Sequence, residues 1–330
     1  SREEVIRTYD HEVKGLTVVK PLHGWNAGPS DAAVLKPLED SWRGLAISCG
    51  LKPRYGLIDP YWMAASSIDE AVRNNIAVGG RRIALLDNFT WGNPEKEDRL
   101  GGLVYACRAC YDVARAYGMP FISGKDSLYN ESPLGPVTPT LLITAIGIVP
   151  DIRRVITLDL KRVGDPLYIV GVTKPELGGS EYYRLMGFLG ASVPRLRPKE
   201  TIKAYRRLLE AMDRGLVKAC HDLSEGGLAV AAAEMAFTGW LGLEIDVDAV
   251  PAEGVMRPDQ LLFSESNGRL LVEVVEGRES EFEDLMADSP NARIGRVIDE
   301  ENLIILSGGE ALMNLSLKEL IEAWKTPLGA

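Results

Sequence analysis

The sequence predicts an α+β fold of mixed α/β character, arranged as two domains. Short apolar segments typical of strands alternate with longer helical segments along the whole chain, which is the pattern of sheets covered by helices. The 330 residues exceed what one ordinary hydrophobic core accommodates. A charge-rich stretch, residues 151–164, interrupts the apolar pattern near the middle of the chain. We therefore expect one domain over residues 1–155 and a second over residues 156–330.

The first domain is expected to contain a sheet and two long helices. Its strand candidates are apolar and β-prone, whereas its helix candidates carry apolar or small side chains at spacings of three and four residues. The expected strands are 17–19, 44–48, 82–86 and 138–149, and the expected helices are 60–75 and 100–117. The stretch 88–94 is expected to be a loop that exposes its aromatic pair, Phe89 and Trp91.

The second domain is expected to repeat the alternation of strands and helices. Its expected strands are 166–171, 243–247, 269–275 and 292–297, and its expected helices are 201–214, 228–237 and 317–325. The stretch 221–227, HDLSEGG, is polar and rich in glycine, and we expect it to be a loop.

Composition and charge exclude several classes of function. A net charge of -10 argues against sequence-independent binding of nucleic acid and against an anionic membrane surface. No apolar run approaches the ~20 residues that a membrane-spanning helix needs. The charged start of the chain does not resemble a signal peptide. Four cysteines are too few for a disulfide framework, so we expect a protein of the reducing cytoplasm.

The segment 119–130, MPFISGKDSLYN, combines residues suited to phosphate chemistry. Gly124 lets backbone N–H groups approach an anion, and Lys125 supplies a mobile positive charge. Asp126 offers a partner for a metal or a hydroxyl, and Ser127 can donate to a substrate oxygen. On these residues alone, a strand-to-turn junction with a surface Lys–Asp pair is the preferred explanation of the segment.

A second set of polar residues lies at the ends of predicted elements. Mg²⁺ prefers oxygen ligands, usually one or two carboxylates together with phosphates and water. The set comprises Asp31, Glu70, Asn74, Asp87 and Asp222. Glu70 and Asn74 are one helical turn apart and therefore point the same way. Taken singly, each of these residues is explained as well by helix capping or by solvation.

Other familiar motifs are absent or incomplete. Cys107 and Cys110 have the spacing of a zinc site but no second pair, so we expect two thiols that face the core. The sequence has no Walker A motif, no GxGxxG after a strand and no GxSxG elbow. His221 beside Asp222 is compatible with a catalytic pair or with a hydrogen-bonded structural histidine.

A series of short motifs along the chain resembles one enzyme family. In order they are YDHEV, SDAAV, EAVRN, LLDNFTWGNP, GKDS, GGSEY, HDLSEGG and LLFSESNG. Together they resemble the C-terminal half of phosphoribosylformylglycinamidine synthases, the synthetase subunits of purine biosynthesis, over essentially all 330 residues. The resemblance implies the fold of aminoimidazole ribonucleotide synthetase, with an N-terminal half-barrel sheet covered by helices and a C-terminal α/β domain.

The resemblance also implies a reaction and its partners. The family uses ATP, Mg²⁺ and ammonia from glutamine to convert formylglycinamide ribonucleotide into formylglycinamidine ribonucleotide. ATP would activate the amide oxygen, and ammonia would then displace phosphate. The implied partners are the N-terminal half of the same enzyme, a glutaminase subunit and a small accessory subunit. An isolated C-terminal half would expose its sheet, be inactive and form a homodimer.

Site residues carry over from the family position by position. Asp87 and Gly124 match positions that contact ATP, Ser127 matches a substrate contact, and Lys125 is best placed for phosphate because an ammonium cannot ligate a metal. A second nucleotide site would use Ser224 and the four metal ligands Asp31, Glu70, Asn74 and Asp222. The family's catalytic histidine lies in the other half, so no catalytic residue is expected here.

Two other interpretations remain open at this point. The chain could be a non-catalytic scaffold half that binds a structural nucleotide and docks the glutaminase and accessory subunits. It could also be a related ATP-using enzyme of the same fold, such as aminoimidazole ribonucleotide synthetase, selenophosphate synthetase or thiamine monophosphate kinase. Those enzymes carry a Gly- and Asp-rich N-terminal segment, whereas this chain has YDHEVKGLTVVKPLHG, which favours the synthase half.

Overall fold

The computed structural model describes residues 1–326 and contains two large sheets, each packed against helices. The first sheet is built from the N-terminal half of the chain and the second from the C-terminal half. This mixed architecture confirms the expected fold class. The division at residue 155 stays a prediction. Over residues 1–326, no helix combines the length and the apolar character needed to cross a bilayer.

The first sheet has six strands in the order β1-β4-β5-β10-β6-β7. Its neighbours are antiparallel except for β6 and β7, which are parallel. In chain order the elements are α1 (Glu3–Ile6), β1 (Thr17–Val19), β2 (Leu22–His23), β3 (Gly28–Pro29), β4 (Ala33–Leu35), β5 (Gly44–Leu51), α2 (Pro53–Gly56), α3 (Pro60–Ala77), β6 (Arg81–Thr90), α4 (Glu97–Tyr117), β7 (Phe121–Ser127), β8 (Glu131–Ser132), β9 (Gly135–Pro136) and β10 (Thr140–Val149). A short 3₁₀ helix, Ile152–Arg154, follows.

Helix α3 is the most buried element of the first domain. Asp59 caps it by accepting hydrogen bonds from the N–H groups of Tyr61 and Trp62, and Pro60 occupies the first helical position. Fourteen of its eighteen residues are buried, because one side packs on the sheet and the other on α4 and the second domain. Polar side chains on this helix are therefore held in place by packing.

One face of the first sheet is apolar and lacks a helix cover within residues 1–326. Along β5 and β10 fully buried residues alternate with half-buried or exposed ones, as a pleated strand requires. The less buried set forms what we call the open sheet face: Leu45, Ile47, Cys49, Leu51, Ala84, Leu86, Leu142, Thr144, Ile146 and Ile148. An apolar face of this kind on a protein surface marks an interaction site.

The second sheet has seven strands in the order β12-β14-β11-β15-β13-β16-β17, of which only β13 and β16 run parallel. Its elements are β11 (Pro166–Val170), α5 (Glu181–Leu185), α6 (Pro198–Asp213), β12 (Val217–Asp222), α7 (Gly227–Gly239), β13 (Gly242–Asp246), a 3₁₀ helix (Val247–Ala249), α8 (Pro258–Phe263), β14 (Leu270–Val274), α9 (Glu279–Met286), β15 (Asn291–Ile298), β16 (Asn302–Ser307), β17 (Glu310–Ser316) and α10 (Leu317–Lys325). Strands β11 and β14 are buried on both faces.

Three expectations about local structure were wrong. Strand β6 continues to Thr90 and β7 to Ser127, because their backbones pair in parallel through the polar segment. The side chains of Phe89 and Trp91 are 5% and 1% exposed, so this aromatic pair belongs to the core. Cys107 is exposed on α4 and does not face the core.

A fourth expectation failed at the beginning of HDLSEGG. His221 and Asp222 are the last residues of β12, a strand that pattern alone did not indicate. Both residues pair with β14, and both are buried. The loop begins only at Leu223, so two polar side chains are placed at the edge of a rigid sheet.

Candidate functional site

The first group of predicted site residues lies where β6 and β7 run side by side, and we call it the edge cluster: Asp87, Gly124, Lys125, Asp126 and Ser127. The register places Asp87 beside Gly124. A Cβ atom at residue 124 would lie 2.4 Å from Oδ1 of Asp87. Glycine at this position therefore leaves room for the Asp87 carboxylate, which would have to move if residue 124 carried a methyl group.

The edge cluster presents different groups on its two faces. Neighbouring residues in a strand point to opposite sides, so Gly124 and Asp126 share the side of Asp87, whereas Lys125 and Ser127 point to the other. Burial and the nearby charge of Asp126 raise the pKa of Asp87. Lys125 is exposed. This strand edge can offer a carboxylate pair on one face and an ammonium and a hydroxyl on the other.

A second group of predicted residues meets between the two domains, and we call it the interdomain cluster: Asp31, Glu70, Asn74, Asp222 and Ser224, with their hydrogen-bond partners. Oδ1 of Asp31 accepts a hydrogen bond from the backbone N–H of Asp222 at 2.9 Å. The same oxygen lies 3.0 Å from Nδ1 of His221. Oδ2 of Asp31 is buried and has no hydrogen-bond partner.

His221 is held between two carboxylates. Its Nε2 lies 3.0 Å from Oε2 of Glu234, while its Nδ1 faces Asp31. Burial disfavours the imidazolium, but the Asp31 carboxylate and then Glu234 outweigh burial and raise the pKa of His221 well above its ordinary value. Because both ring nitrogens face carboxylates, neither is free to contact a ligand in this arrangement.

Arg73 connects α3 to the end of β12. Its Nη2 donates to Oδ2 of Asp222 at 3.1 Å and to Oγ of Ser224 at 2.9 Å. Its Nη1 donates to Asp69, which also accepts from the hydroxyls of two buried tyrosines. Burial acts to raise the pKa of Asp222, but the Arg73 guanidinium, His221 and the Ser224 hydroxyl together outweigh burial and hold that pKa below its ordinary value.

Glu70 and Asn74 lie one turn apart on α3 and both face β5, as the spacing predicted. Oε2 of Glu70 accepts from the backbone N–H of Leu51 at 2.8 Å, and Oε1 lies 3.1 Å from Nζ of Lys52. The side-chain amide of Asn74 donates to the backbone oxygen of Cys49 at 3.1 Å. Oδ1 of Asn74 is buried and has no hydrogen-bond partner.

A cavity of about 590 Å³ opens beside Glu70. It is bounded by the end of β5, by α2 and by loops of the second domain, and it therefore lies between the domains. Its charged lining residues are Arg2, Lys52, Arg54, Glu70, Glu181, Glu225 and Glu265. A cavity of this size accommodates a small polar ligand.

The four predicted metal ligands are not equally free to bind a cation. Oδ2 of Asp31 and Oδ1 of Asn74 are acceptors without a partner, which fits a bound cation. Glu70 and Asp222 instead face the side-chain cations of Lys52 and Arg73. In the described part of the chain, Asp31, His221 and Asp222 form a group whose potential ligand atoms lie within 4.8 Å of one another.

Sequence reasoning missed the cations of the interdomain cluster. Arg73 lies four residues after Asp69, and this spacing on a helix was a usable signal for an ion pair. The pairs Lys52–Glu70 and His221–Glu234 gave no such signal, because their members are 18 and 13 residues apart in the sequence. Glu265, which accepts from the Tyr55 hydroxyl at 2.7 Å, pairs across 210 residues.

Two family models match the chain, one to each domain. Residues 29–149 match the N-terminal domain of AIR synthase related proteins, and residues 162–307 match the C-terminal domain of the same family. This chain belongs to the AIR synthase-related family. The matched ranges contain every predicted site residue, including Asp31 near the start of the first.

Curated relatives of the family extend the similarity to nearly the whole chain. The chain is 41% identical over 340 aligned positions to phosphoribosylformylglycinamidine synthase subunit PurL of Methanothrix thermoacetophila, covering 99% of this chain and 43% of the relative. It is 38% identical to the PurL subunit of Thermococcus sibiricus, covering 97% of this chain and 43% of the relative. The chain thus spans less than half the length of these relatives.

Solved structures share the fold at lower sequence identity. Thermotoga maritima PurL complexed with FGAR superposes with a TM-score of 0.77 at 22% identity, covering 95% of this chain and 50% of that one. The PurLQS structure from the same organism gives a TM-score of 0.74, covering 91% of this chain and 47% of that one. These matches establish the two-domain AIR synthase-type fold of this chain.

Proposed function

We propose that this chain is the C-terminal half of a phosphoribosylformylglycinamidine synthase, an ATP-dependent C–N ligase of purine biosynthesis. The observation that carries the proposal is the 41% identity to an archaeal PurL subunit over 99% of the chain. The apposition of Asp87 and Gly124 beside Lys125 adds a site of suitable chemistry. The substrate proposed is formylglycinamide ribonucleotide, and the amino group would come from glutamine.

The edge cluster is proposed to bind ATP and the substrate. Lys125 points to the face opposite Asp87 and supplies the positive charge that phosphoryl transfer requires. Asp87 and Asp126 lie on the opposite face of this strand edge and are proposed to offer carboxylate oxygens to the nucleotide site there. Ser127 is proposed to donate a hydrogen bond to the substrate. No residue of this chain is proposed as the catalytic base.

The interdomain cluster is proposed as the second nucleotide site. Ser224 and the free oxygens of Asp31 and Asn74 supply polar groups of the kind that a nucleotide and its metal ion need. Glu70 and Asp222 complete the set of proposed metal ligands. Their engagement by Lys52 and Arg73 means that nucleotide binding there would have to rearrange two ion pairs.

The open sheet face is proposed as the contact with the N-terminal half of the enzyme. Its apolar side chains on β5 and β10 require a cover, and a second sheet of the same kind would supply one. A glutaminase subunit and a small accessory subunit are the further proposed partners, in line with the PurLQS assembly of a structural neighbour. A cytoplasmic location, supported by four free thiols, belongs to the same proposal.

A non-catalytic scaffold half is the second candidate function. The observation that favours it is that buried oxygens of Asp31 and Asn74 lack hydrogen-bond partners, which suits a structural nucleotide with its metal ion. In a scaffold half, the interdomain cluster would bind a nucleotide as a structural element, and the edge cluster would have no role in turnover.

Reconstitution with the N-terminal half of the same enzyme distinguishes the two. With ATP, Mg²⁺, ammonium and formylglycinamide ribonucleotide, amidine formation is measured for Lys125→Ala and Asp87→Ala. A catalytic half predicts losses of about 10²–10³-fold, because positive charge at the transferred phosphoryl group is removed or displaced. Lys14→Ala and Asp40→Ala, both at exposed positions, are the controls. Near-normal turnover of both edge-cluster variants would leave only the scaffold role.

A further inference from the structure

The Lys52 side chain is unusually buried for a lysine. It is 4% exposed and lies directly after β5, at the entrance to the 590 Å³ cavity. Lysine is almost never fully buried unless its charge is paired, so a specific set of partners must hold it there.

Those partners are carboxylates from both domains. Nζ of Lys52 lies 3.1 Å from Oε1 of Glu70 and 2.7 Å from Oε1 of Glu225. Glu265 is the third carboxylate whose charge acts on Lys52. Glu70 belongs to α3 of the first domain, whereas Glu225 and Glu265 belong to loops of the second. One ammonium is therefore surrounded by three glutamates that would otherwise repel one another.

A divalent cation held by two or three carboxylates would occupy the same kind of position. Oxygen ligands from separate elements converging on one point are the usual arrangement of a Mg²⁺ or Ca²⁺ site. Here Oε1 of Glu70 already contacts an ammonium, and its Oε2 already accepts from Leu51 N–H. Nζ of Lys52 fills the point where the two carboxylates converge, so a metal ion could occupy that point only if the Lys52 side chain moved away.

We infer that the Lys52 ammonium takes the place of a metal ion between Glu70 and Glu225, so that Glu70 binds no metal ion as long as this ion pair is intact. Lys52 is a positioning residue that neutralises the acidic side of the cavity and links the domains without a metal. Asp31 and Asn74, whose free oxygens lie elsewhere in the interdomain cluster, are unaffected by this inference. The inference does not depend on the proposed enzymatic activity.

The test uses divalent cations alone, without nucleotide, and follows thermal unfolding and Mn²⁺ binding by electron paramagnetic resonance. Lys52→Met keeps the length of the side chain and removes its charge. We expect this variant to melt lower than the wild type in EDTA and to regain ~2 °C or more when Mg²⁺ or Mn²⁺ is added. The gain should disappear in Lys52→Met combined with Glu70→Gln. Lys14→Met, at an exposed position, should show no such gain.

The wild-type chain supplies a second, independent measurement if Lys52→Met fails to fold. Any Mn²⁺ binding by the wild type should be unchanged by Glu70→Gln, because Glu70 faces Lys52. Loss of a wild-type Mn²⁺ site on Glu70→Gln would overturn the inference. A folded Lys52→Met that gains no dependence on divalent cations would also overturn it.

Discussion

Arg73 of α3 and Asp222 of β12 form a buried ion pair between the domains, with Nη2 3.1 Å from Oδ2. The side chain of Arg73 is 1% exposed and that of Asp222 8% exposed. Arg73 also pairs with the fully buried Asp69, so one guanidinium balances two carboxylates. The pairing explains how polar residues of the interdomain cluster are fixed without contact with water.

Removing the guanidinium should destabilise the fold strongly. Arg73→Leu leaves Asp69 and Asp222 buried without their cation, and such a loss costs about 3–5 kcal/mol. We expect urea unfolding to shift to a lower midpoint by the corresponding amount. Arg153→Leu removes an exposed arginine that pairs with Asp151 on the surface, and it should leave the midpoint unchanged. Equal shifts of the urea midpoint in the two variants would show that the interdomain ion pair stabilises the fold no more than the surface pair does.

The hydroxyl groups of two buried tyrosines allow a second test of the contacts around Asp69. Tyr117 and Tyr205 donate to Oδ1 of Asp69 at 2.6 Å and 2.7 Å, and all three residues are buried. Tyr117→Phe and Tyr205→Phe should each cost about 1.5–3 kcal/mol in urea unfolding, because the acceptor is a charged group. Tyr61→Phe loses a bond to the more exposed Asp112 and should cost less. An unchanged free energy of unfolding in both Tyr117→Phe and Tyr205→Phe would contradict these hydrogen bonds to Asp69.

Adding one methyl group at Gly124 in the edge cluster should weaken nucleotide binding without destabilising the fold. Gly124→Ala places Cβ 2.4 Å from Oδ1 of Asp87, so the carboxylate must move. We expect weaker binding of an ATP analogue, measured by calorimetry on the reconstituted enzyme, with little change in melting temperature. Gly101→Ala on α4 is the matched control, because its Cβ meets no atom within 4 Å. Unchanged affinity in Gly124→Ala would argue that nucleotide does not approach this strand edge.

Stability should depend on pH through Glu273 of β14. This side chain accepts hydrogen bonds from the N–H groups of Lys161 and Arg162, yet burial raises its pKa to about 8 from an ordinary 4.5. Below pH 4.5 the carboxyl is protonated in both states, and above that value only the unfolded chain ionises readily. The contribution of this group to stability is therefore lost as pH rises towards 8.

Urea unfolding between pH 5 and pH 8 measures this effect in the wild type and in Glu273→Gln, which keeps an acceptor for both N–H groups. The wild type should lose stability across the range more steeply than the variant. Glu276→Gln, whose partner Arg162 is on the surface, is the control and should keep the wild-type slope. If the free energy of unfolding falls with pH equally in the wild type and in Glu273→Gln, the pKa of Glu273 lies in its ordinary range.

The isolated chain should associate through the open sheet face. Burial of the apolar rows of β5 and β10 favours a dimer, which light scattering after size exclusion would detect. Ile146→Glu puts a charge in the centre of that face and should give a monomer. Leu134→Glu, fully exposed in a hairpin outside the face, should leave the dimer intact. A wild-type chain that stays monomeric at high concentration would contradict this prediction.

Periodicity predicted the elements whose side chains have one buried face. Helix α3 and strand β10 were found this way, since their small and apolar residues alternate at the right spacing. Strand β12 was missed because its last residues, His221 and Asp222, are polar. Their burial depends on Asp31, which is 190 residues away from His221 in the sequence, so no local pattern indicates it.

The candidate sites also combine residues that local sequence motifs indicate with residues that only the tertiary fold brings together. Asp87 and Gly124 lie in two motifs that the resemblance had already singled out, but their pairing is known only from the structure. The cations of the interdomain cluster follow from the tertiary fold alone, because Lys52 meets Glu225 across 173 residues. Sequence motifs therefore indicated which oxygens gather between the domains, and only the structure shows which positive charges they face.

The separation along the chain of Asp31 and Asp222 has a consequence for biosynthesis. Their contact joins residues 191 positions apart, so it cannot form until most of the polypeptide has left the ribosome. Until then Asp31 lacks His221 and Arg73 lacks Asp222, whereas Glu70 and Arg73 already face Lys52 and Asp69 within the first domain. Contacts of such long range also slow folding. The interdomain cluster is therefore completed only after the C-terminal half of the chain has been synthesised.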